Sequence, residues 1–188
     1  MARYLKENPW ILYWTLCPAS GHCRYVFKEF PLGNEYKVDF LILNSYSGLW
    51  EVIFVELESI SDKLFTKKGT PTQVLAKSIK QIDDWKTYFS AEKNNLRKEL
   101  CKWTMSKDIL GYSTPSKNPS NDSANYLLDP NTYIKDRYYI VIGRSSRLSE
   151  LENTEKAKYS FLHSMELLTY DRLYSLIKQR YPISKHFQ

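Results

Sequence analysis

Two apolar runs, residues 37–43 and 50–58, constrain the fold of this chain more than anything else in it. In the second, Trp50, Val52 and Phe54 alternate with Ile53, Val55 and Leu57, so both faces are apolar. In the first, Val38, Phe40 and Ile42 line one face, while Leu41 and Leu43 share the other with Asp39. A strand that is apolar on both faces belongs inside a sheet covered on both sides. The polar stretch 44–48 is short enough to join the two runs as antiparallel neighbours.

Acids inside such strands need a reason. An unpaired buried carboxylate costs several kcal/mol (of order 2–7 even for neutral polar groups), so Asp39 requires a partner. Glu56 and Glu58 close the second run as VELE. Side chains at i and i+2 share a strand face, roughly 6.6–6.8 Å apart along the chain. With Asp39 on the adjoining strand, three carboxylates can converge on one spot. Hard divalent cations bind at such oxygen-rich spots, and phosphodiester hydrolysis is a frequent use of them. A lysine is the alternative partner for Asp39, and for either glutamate alone a strand simply leaving the core explains the charge.

The rest of the chain frames this pair. Residues 2–14 read as a helix that Pro9 starts or bends. Residues 23–30 alternate as a strand, closed by the turn chemistry of Pro31-Leu32-Gly33-Asn34. A lysine-bearing loop at 59–71 precedes one long helix over about 72–100, with Val74, Leu75, Ile79, Ile82, Trp85 and Phe89 at helical spacing. Residues 111–131, rich in Ser, Asn and Pro, read as a mobile insertion in a single domain spanning 1–188. A buried strand at 138–143, a helix at about 147–160, a strand near 165–169 and a helix over 170–180 complete the chain. A meander joined through a helix to another central strand predicts an α/β fold with a mixed sheet.

Other residues qualify the site. Lys77, Gln81 and Trp85 are spaced i, i+4, i+8 and form one helical stripe. Gln81 can orient a water or a phosphate oxygen, and Lys77 can neutralise charge developing at phosphorus. Lys63, Lys67 and Lys68 follow Glu58 and can contact DNA phosphates or form an ordinary charged loop. Arg144, Arg147 and Ser145-Ser146 can grip a phosphate at a helix start, though serine capping explains the serines equally well. Glu7 is a weaker candidate for completing a metal shell from a helix.

The charge is +6, and residues 61–110 carry eleven Lys/Arg against six Asp/Glu, so about five of those charges sit there. With fifteen Tyr and five Trp, this balance suits a polyanionic partner such as nucleic acid, although charge alone does not require one. Cys17, His22 and Cys23 match no standard zinc spacing, and the odd count with Cys101 fits reduced thiols in the cytoplasm. No apolar run approaches a membrane span, so no membrane partner is expected.

Taken together these residues resemble the PD-(D/E)XK nuclease superfamily. The matching positions are Asp39, then Glu56-Leu57-Glu58, then Gln81-Ile82-Asp83-Asp84-Trp85, in the element order αβββαβ with a C-terminal αβα extension. Within it the chain is similar to the Shedu nuclease domain. The stretches that carry the likeness are LKENPWIL at 5–12, VDFLI at 38–42, VELE at 55–58, LFTKKGTPTQ at 64–73, QIDDW at 81–85, YIVIGR at 139–144 and TYDRL at 169–173. The resemblance implies a prokaryotic anti-phage nuclease that cuts double-stranded DNA with Mg²⁺ or Mn²⁺ as a homo-oligomer. Asp39, Glu56 and Glu58 would be the metal residues, and Lys63, Lys67, Lys68 and Arg144 the DNA contacts. A regulatory region often precedes the domain in this family, so control here is expected to differ or to come from a protein partner.

The chain departs from the pattern at one position. The lysine expected two residues after Glu56 is Glu58, which can bind metal but cannot stabilise developing negative charge. Either Lys77 or a lysine of the 63–68 loop supplies that cation, or cleavage has been lost and the fold retained as a DNA-binding or protein-interaction module.

Overall fold

The computed structural model describes residues 2–17, 23–46, 49–104, 110–113 and 127–180. Pro9 divides the first helical segment. Helix α1 (Ala2–Glu7) ends before it, and α2 (Trp10–Leu16) starts after it with Pro9 at the cap, where a missing N–H costs nothing. Strands β1 (Cys23–Leu32), β2 (Tyr36–Tyr46) and β3 (Leu49–Leu57) form the expected antiparallel meander. The first hairpin turn is tighter than expected, because Pro31 and Leu32 still pair with Lys37 and Tyr36.

The single long helix expected over 72–100 is two. Helix α3 (Gln73–Ala91) is capped by the Thr72 hydroxyl, and α4 (Lys93–Thr104) starts after a break at Glu92. The apolar period crosses that break undisturbed, which is why sequence periodicity did not reveal it. The predicted insertion is also partly structured. Residues Leu110–Ser113 form β4 on the free edge of β1, and 127–132 are clamped by Arg97, whose guanidinium donates to the carbonyls of Leu127, Asp129 and Thr132 at 2.7, 2.8 and 2.5 Å. The middle of that stretch lies outside the described residues.

Strand β5 (Ile134–Val141) pairs parallel with β3, and β6 (Glu166–Leu168) parallel with β5. Helix α5 (Glu150–Leu162), started by a Ser149–Glu152 capping box, connects them, and α6 (Tyr170–Arg180) follows β6. The sheet order is β4-β1-β2-β3-β5-β6, a mixed sheet flanked by helices. One face packs Val52 and Phe54 against Leu75, Ile79, Ile82 and Trp85 of α3 and Leu96 and Leu100 of α4. The other packs Phe40, Ile42, Ile53 and Val55 against α1, α2 and α6.

The pleat of β2 resets beside Asp39. Val38 belongs to the α3 face but Phe40 to the opposite one, so strict alternation through Asp39 does not hold. The neighbouring strand explains this. Glu29 adopts φ 52° between the pairs Lys28↔Phe40 and Phe30↔Val38, which twists the ladder locally.

Candidate active site

The site grows from the end of one ladder. The β2–β3 register runs from Tyr46↔Leu49 to Phe40↔Val55 and stops there. Asp39 and Glu56 are the next residue on each strand, just past the last pair of the ladder. Asp39 takes over that pairing: its Oδ2 accepts the Leu57 amide hydrogen at 2.9 Å. Glu56 continues the face of Val52 and Phe54, toward α3, and its Oε2 accepts from Gln81 Nε2 at 3.1 Å. Glu58 also meets α3, accepting from Ser78 Oγ at 2.5 Å, while its carbonyl accepts from the Tyr170 hydroxyl at 2.7 Å.

All of these donors are neutral, so charge accumulates. Burial, then the Asp39 and Glu58 carboxylates, push the Glu56 carboxyl up to about 8, against the opposing pull of the Gln81 hydrogen bond and Lys77. The Tyr170 phenol is likewise raised, first by burial and then by Asp39, Glu58 and Asp62. Two effects on different elements thus locate the acids in one electrostatic neighbourhood. The nearest cation comes from a residue that sequence reasoning passed over. Lys6 Nζ lies 3.7 Å from Asp39 Oδ1 and 3.4 Å from Glu29 Oε1. Nothing in the local pattern of α1 distinguishes Lys6 from its neighbours; only docking of α1 on the sheet brings it there.

The expected three-acid convergence does not take that form. Among the described residues, no group of three or more His, Cys, Asp or Glu side chains stands close enough to hold a metal ion. The hydrogen bonds supply the reason: the Leu57 amide turns Asp39 along the strand end, while Gln81 and Ser78 draw Glu56 and Glu58 toward α3. What remains is the pair Asp39 and Glu56. Mg²⁺ is commonly held by one or two carboxylates, with water and phosphate oxygens completing its shell. Burial and the neighbouring acids favour the protonated Glu56 carboxyl, the form a divalent cation would displace.

The other candidates divide. Gln81 reaches the acids, and Lys77 is exposed but near enough to act on Glu56. Trp85, on the same stripe, is buried against Phe54 and belongs to the core. Lys63, Lys67, Lys68 and Arg144 are exposed. The Ser145 amide and hydroxyl donate to Asp171 Oδ2 at 2.8 and 3.1 Å, and Arg147 donates to the Ser61 carbonyl, so neither is left for a phosphate as expected. Glu7 pairs with Arg3 at 2.9 Å in solvent rather than entering the site. Cys17, Cys23 and Cys101 are buried thiols, burial raising those of Cys23 and Cys101; His22 lies outside the described residues.

Gly143 ties the end of β5 to the loop that follows Glu58. At φ 63° a side chain there would meet the Asp62 carbonyl 2.5 Å from its Cβ, and the Gly143 amide donates to the Ser59 carbonyl. Residues 1–174 match the family model described as Shedu protein SduA, C-terminal. The chain belongs to the Shedu family. The match spans the meander, the α3 residues and Tyr170, and so contains every residue of the acid cluster. No curated protein matches the chain. Among the described residues, no helix of this Shedu member is long and apolar enough to cross a membrane.

Proposed function

We propose that this Shedu chain is a metal-dependent DNA endonuclease of an anti-phage defence system, hydrolysing phosphodiester bonds of double-stranded DNA in the cytoplasm as a homo-oligomer. The observation that carries this reading is that Asp39 and Glu56 are the residues just past the end of the β2–β3 ladder, hydrogen-bonded by the neutral donors Leu57 N and Gln81, with Lys6 beside Asp39. Asp39 and Glu56 would hold Mg²⁺ or Mn²⁺, and Glu58 would assist with its field. When bound, the ion supplies a lowered pKa for water and charge shielding at the scissile phosphate.

The chain's own groups do the rest. The Leu57 amide fixes one oxygen of Asp39, and Gln81 fixes one oxygen of Glu56, so each carboxylate keeps a set orientation. Ser78 and Tyr170 hold Glu58 and the backbone beneath it. Lys77, and Lys6 beside Asp39, provide positive charge where the family pattern would have its lysine in place of Glu58. Exposed Lys63, Lys67, Lys68 and Arg144 contact phosphates along the duplex.

The test is plasmid cleavage with Mg²⁺ or Mn²⁺. Asp39→Ala and Glu56→Ala should each abolish cutting while the variants still fold. Wild-type-level cutting by both would refute the assignment. A second reading rests on Glu58 and on the missing third metal ligand: a nuclease fold that binds DNA without cutting it. It predicts salt-sensitive DNA binding with no cleavage in either metal.

A further inference from the structure

We propose that the cleft between α5 and α6 is a phosphate-binding pocket in which Lys156 and Arg172 are the cations that meet the anion. The cleft is a cavity of about 450 Å³, and its polar lining includes Asn153, Ser160 and Ser175 as well as the two cations. Lys156 comes from α5 and Arg172 from α6, and both line it. Among the described residues neither has a carboxylate within ion-pair distance. Burial and the Arg172 charge together lower the proton affinity of Lys156, and Glu166 opposes them less strongly. Two like charges from separate helices thus line one cleft with no carboxylate in ion-pair contact with either, although Glu166 and Asp171 stand in the same wall.

The acids in the wall are already committed. Asp171 Oδ2 accepts both donors of Ser145, and Glu166 Oε1 accepts from Arg137 at 2.9 Å and from the Tyr139 hydroxyl. The groups left over are two cations, the Ser160 hydroxyl, which accepts from the Leu167 amide and can still donate, and the Asn153 side-chain amide; the Ser175 hydroxyl already donates to the Asp171 carbonyl. That set matches a group with several acceptor oxygens and a charge of about −1.5 to −2, which is a phosphate monoester; a backbone diester would use part of it. The location supports the same ligand. Ser145 follows β5 and Thr169 follows β6, so the cleft opens at the carboxyl ends of parallel strands, where α/β sheets bind ligands. Glu56 pairs with Ile140 on parallel β5, which places the acid cluster on the same rim of the sheet.

The phosphate can belong to DNA or to a free small molecule, and the experiment separates them. Inorganic phosphate is titrated against the full chain by calorimetry and thermal shift, with chloride at matched ionic strength as reference. Saturable binding is expected, weakened at least tenfold in Lys156→Ala/Arg172→Ala and retained in Lys156→Arg/Arg172→Lys. Lys156→Gln, which keeps most of the side chain, serves if the double variant folds poorly, and should weaken binding severalfold. Salt-dependent binding of a DNA duplex is then compared. A fall of about two in the slope of log K against log salt in the double variant identifies DNA as the source, because each phosphate contact contributes about 0.9. An unchanged slope with lost phosphate binding identifies a free phosphate compound. No phosphate binding by the wild type, or equal binding by the alanine variant, overturns the proposal. None of these readouts requires cleavage, so they stand or fall separately from the nuclease reading.

Discussion

Strand β3 carries two acids that turn inward, and its two ends treat them in opposite ways. Glu51, near the start, is buried and meets Arg137 of the adjacent parallel strand at 3.6 Å; Arg137 in turn bonds Glu166, and the Tyr139 hydroxyl joins them. Glu56, near the end, has Gln81 as its hydrogen-bond donor and two further carboxylates as neighbours. The first arrangement is a closed ion network that leaves nothing to bind. The second meets Glu56 with a neutral donor, and the crowding by Asp39 and Glu58 raises its carboxyl so that a proton rather than a protein cation relieves it. An inward acid on a core strand is therefore not in itself a sign of a site; its partner decides which kind it is.

The strongest way to break this contrast is by activity. Asp39→Ala and Glu56→Ala should reduce metal-dependent DNA cleavage by at least about 100-fold, in line with loss of a metal or electrostatic contributor, whereas Glu166→Gln should leave cleavage within a few-fold of wild type. Equal losses in all three would erase the distinction. Next in size is a stability effect at the other end. Arg137→Ala strands Glu51 in the core and should destabilise the fold by roughly 3–5 kcal/mol in denaturant unfolding.

A third test uses pH without metal. The Glu56 carboxyl is raised from its ordinary value of 4.5 to about 8 in the fold. Its proton therefore contributes stability that is complete below about pH 4.5 and lost as pH rises through about 8. Glu56→Gln cannot ionise, so its stability advantage over the wild type should grow between pH 4.5 and 8, by a few kcal/mol at about 1.4 kcal/mol per tenfold change, and then level off. A flat difference across that range would mean that Glu56 is not crowded by its neighbours. The smallest effect expected is in Gln81→Leu. Removing that donor should move the Glu56 titration midpoint upward by several tenths of a pH unit, measured by NMR of the carboxyl carbon.

Much of this was legible along the chain. The runs around Asp39 and Glu56 are apolar on both faces, and that alone requires central strands, neighbouring ones given the short turn between them. Gln81 was recognisable from its helical spacing. Misjudgements arose where a distant contact decides the outcome. The period of 72–100 cannot show a helix break at Glu92, and the composition of 111–131 cannot show that Arg97 pins its end or that Leu110–Ser113 finds the free edge of β1. Trp85 belongs to both the apolar period and the stripe with Gln81, and the period decides its burial.

The sequence by itself determined which segments are strands and helices, their order, and the presence of acids inside a buried sheet, because these depend on local periodicity and on the cost of burying charge. Only the tertiary structure decided that Asp39 bonds the Leu57 amide, that Lys6 stands beside it, that Glu51 meets Arg137 while Glu56 meets Gln81, and that Lys156 and Arg172 share one cleft. Those outcomes depend on register and on how helices dock, which place residues far apart in the chain within a few ångströms and leave no periodic trace.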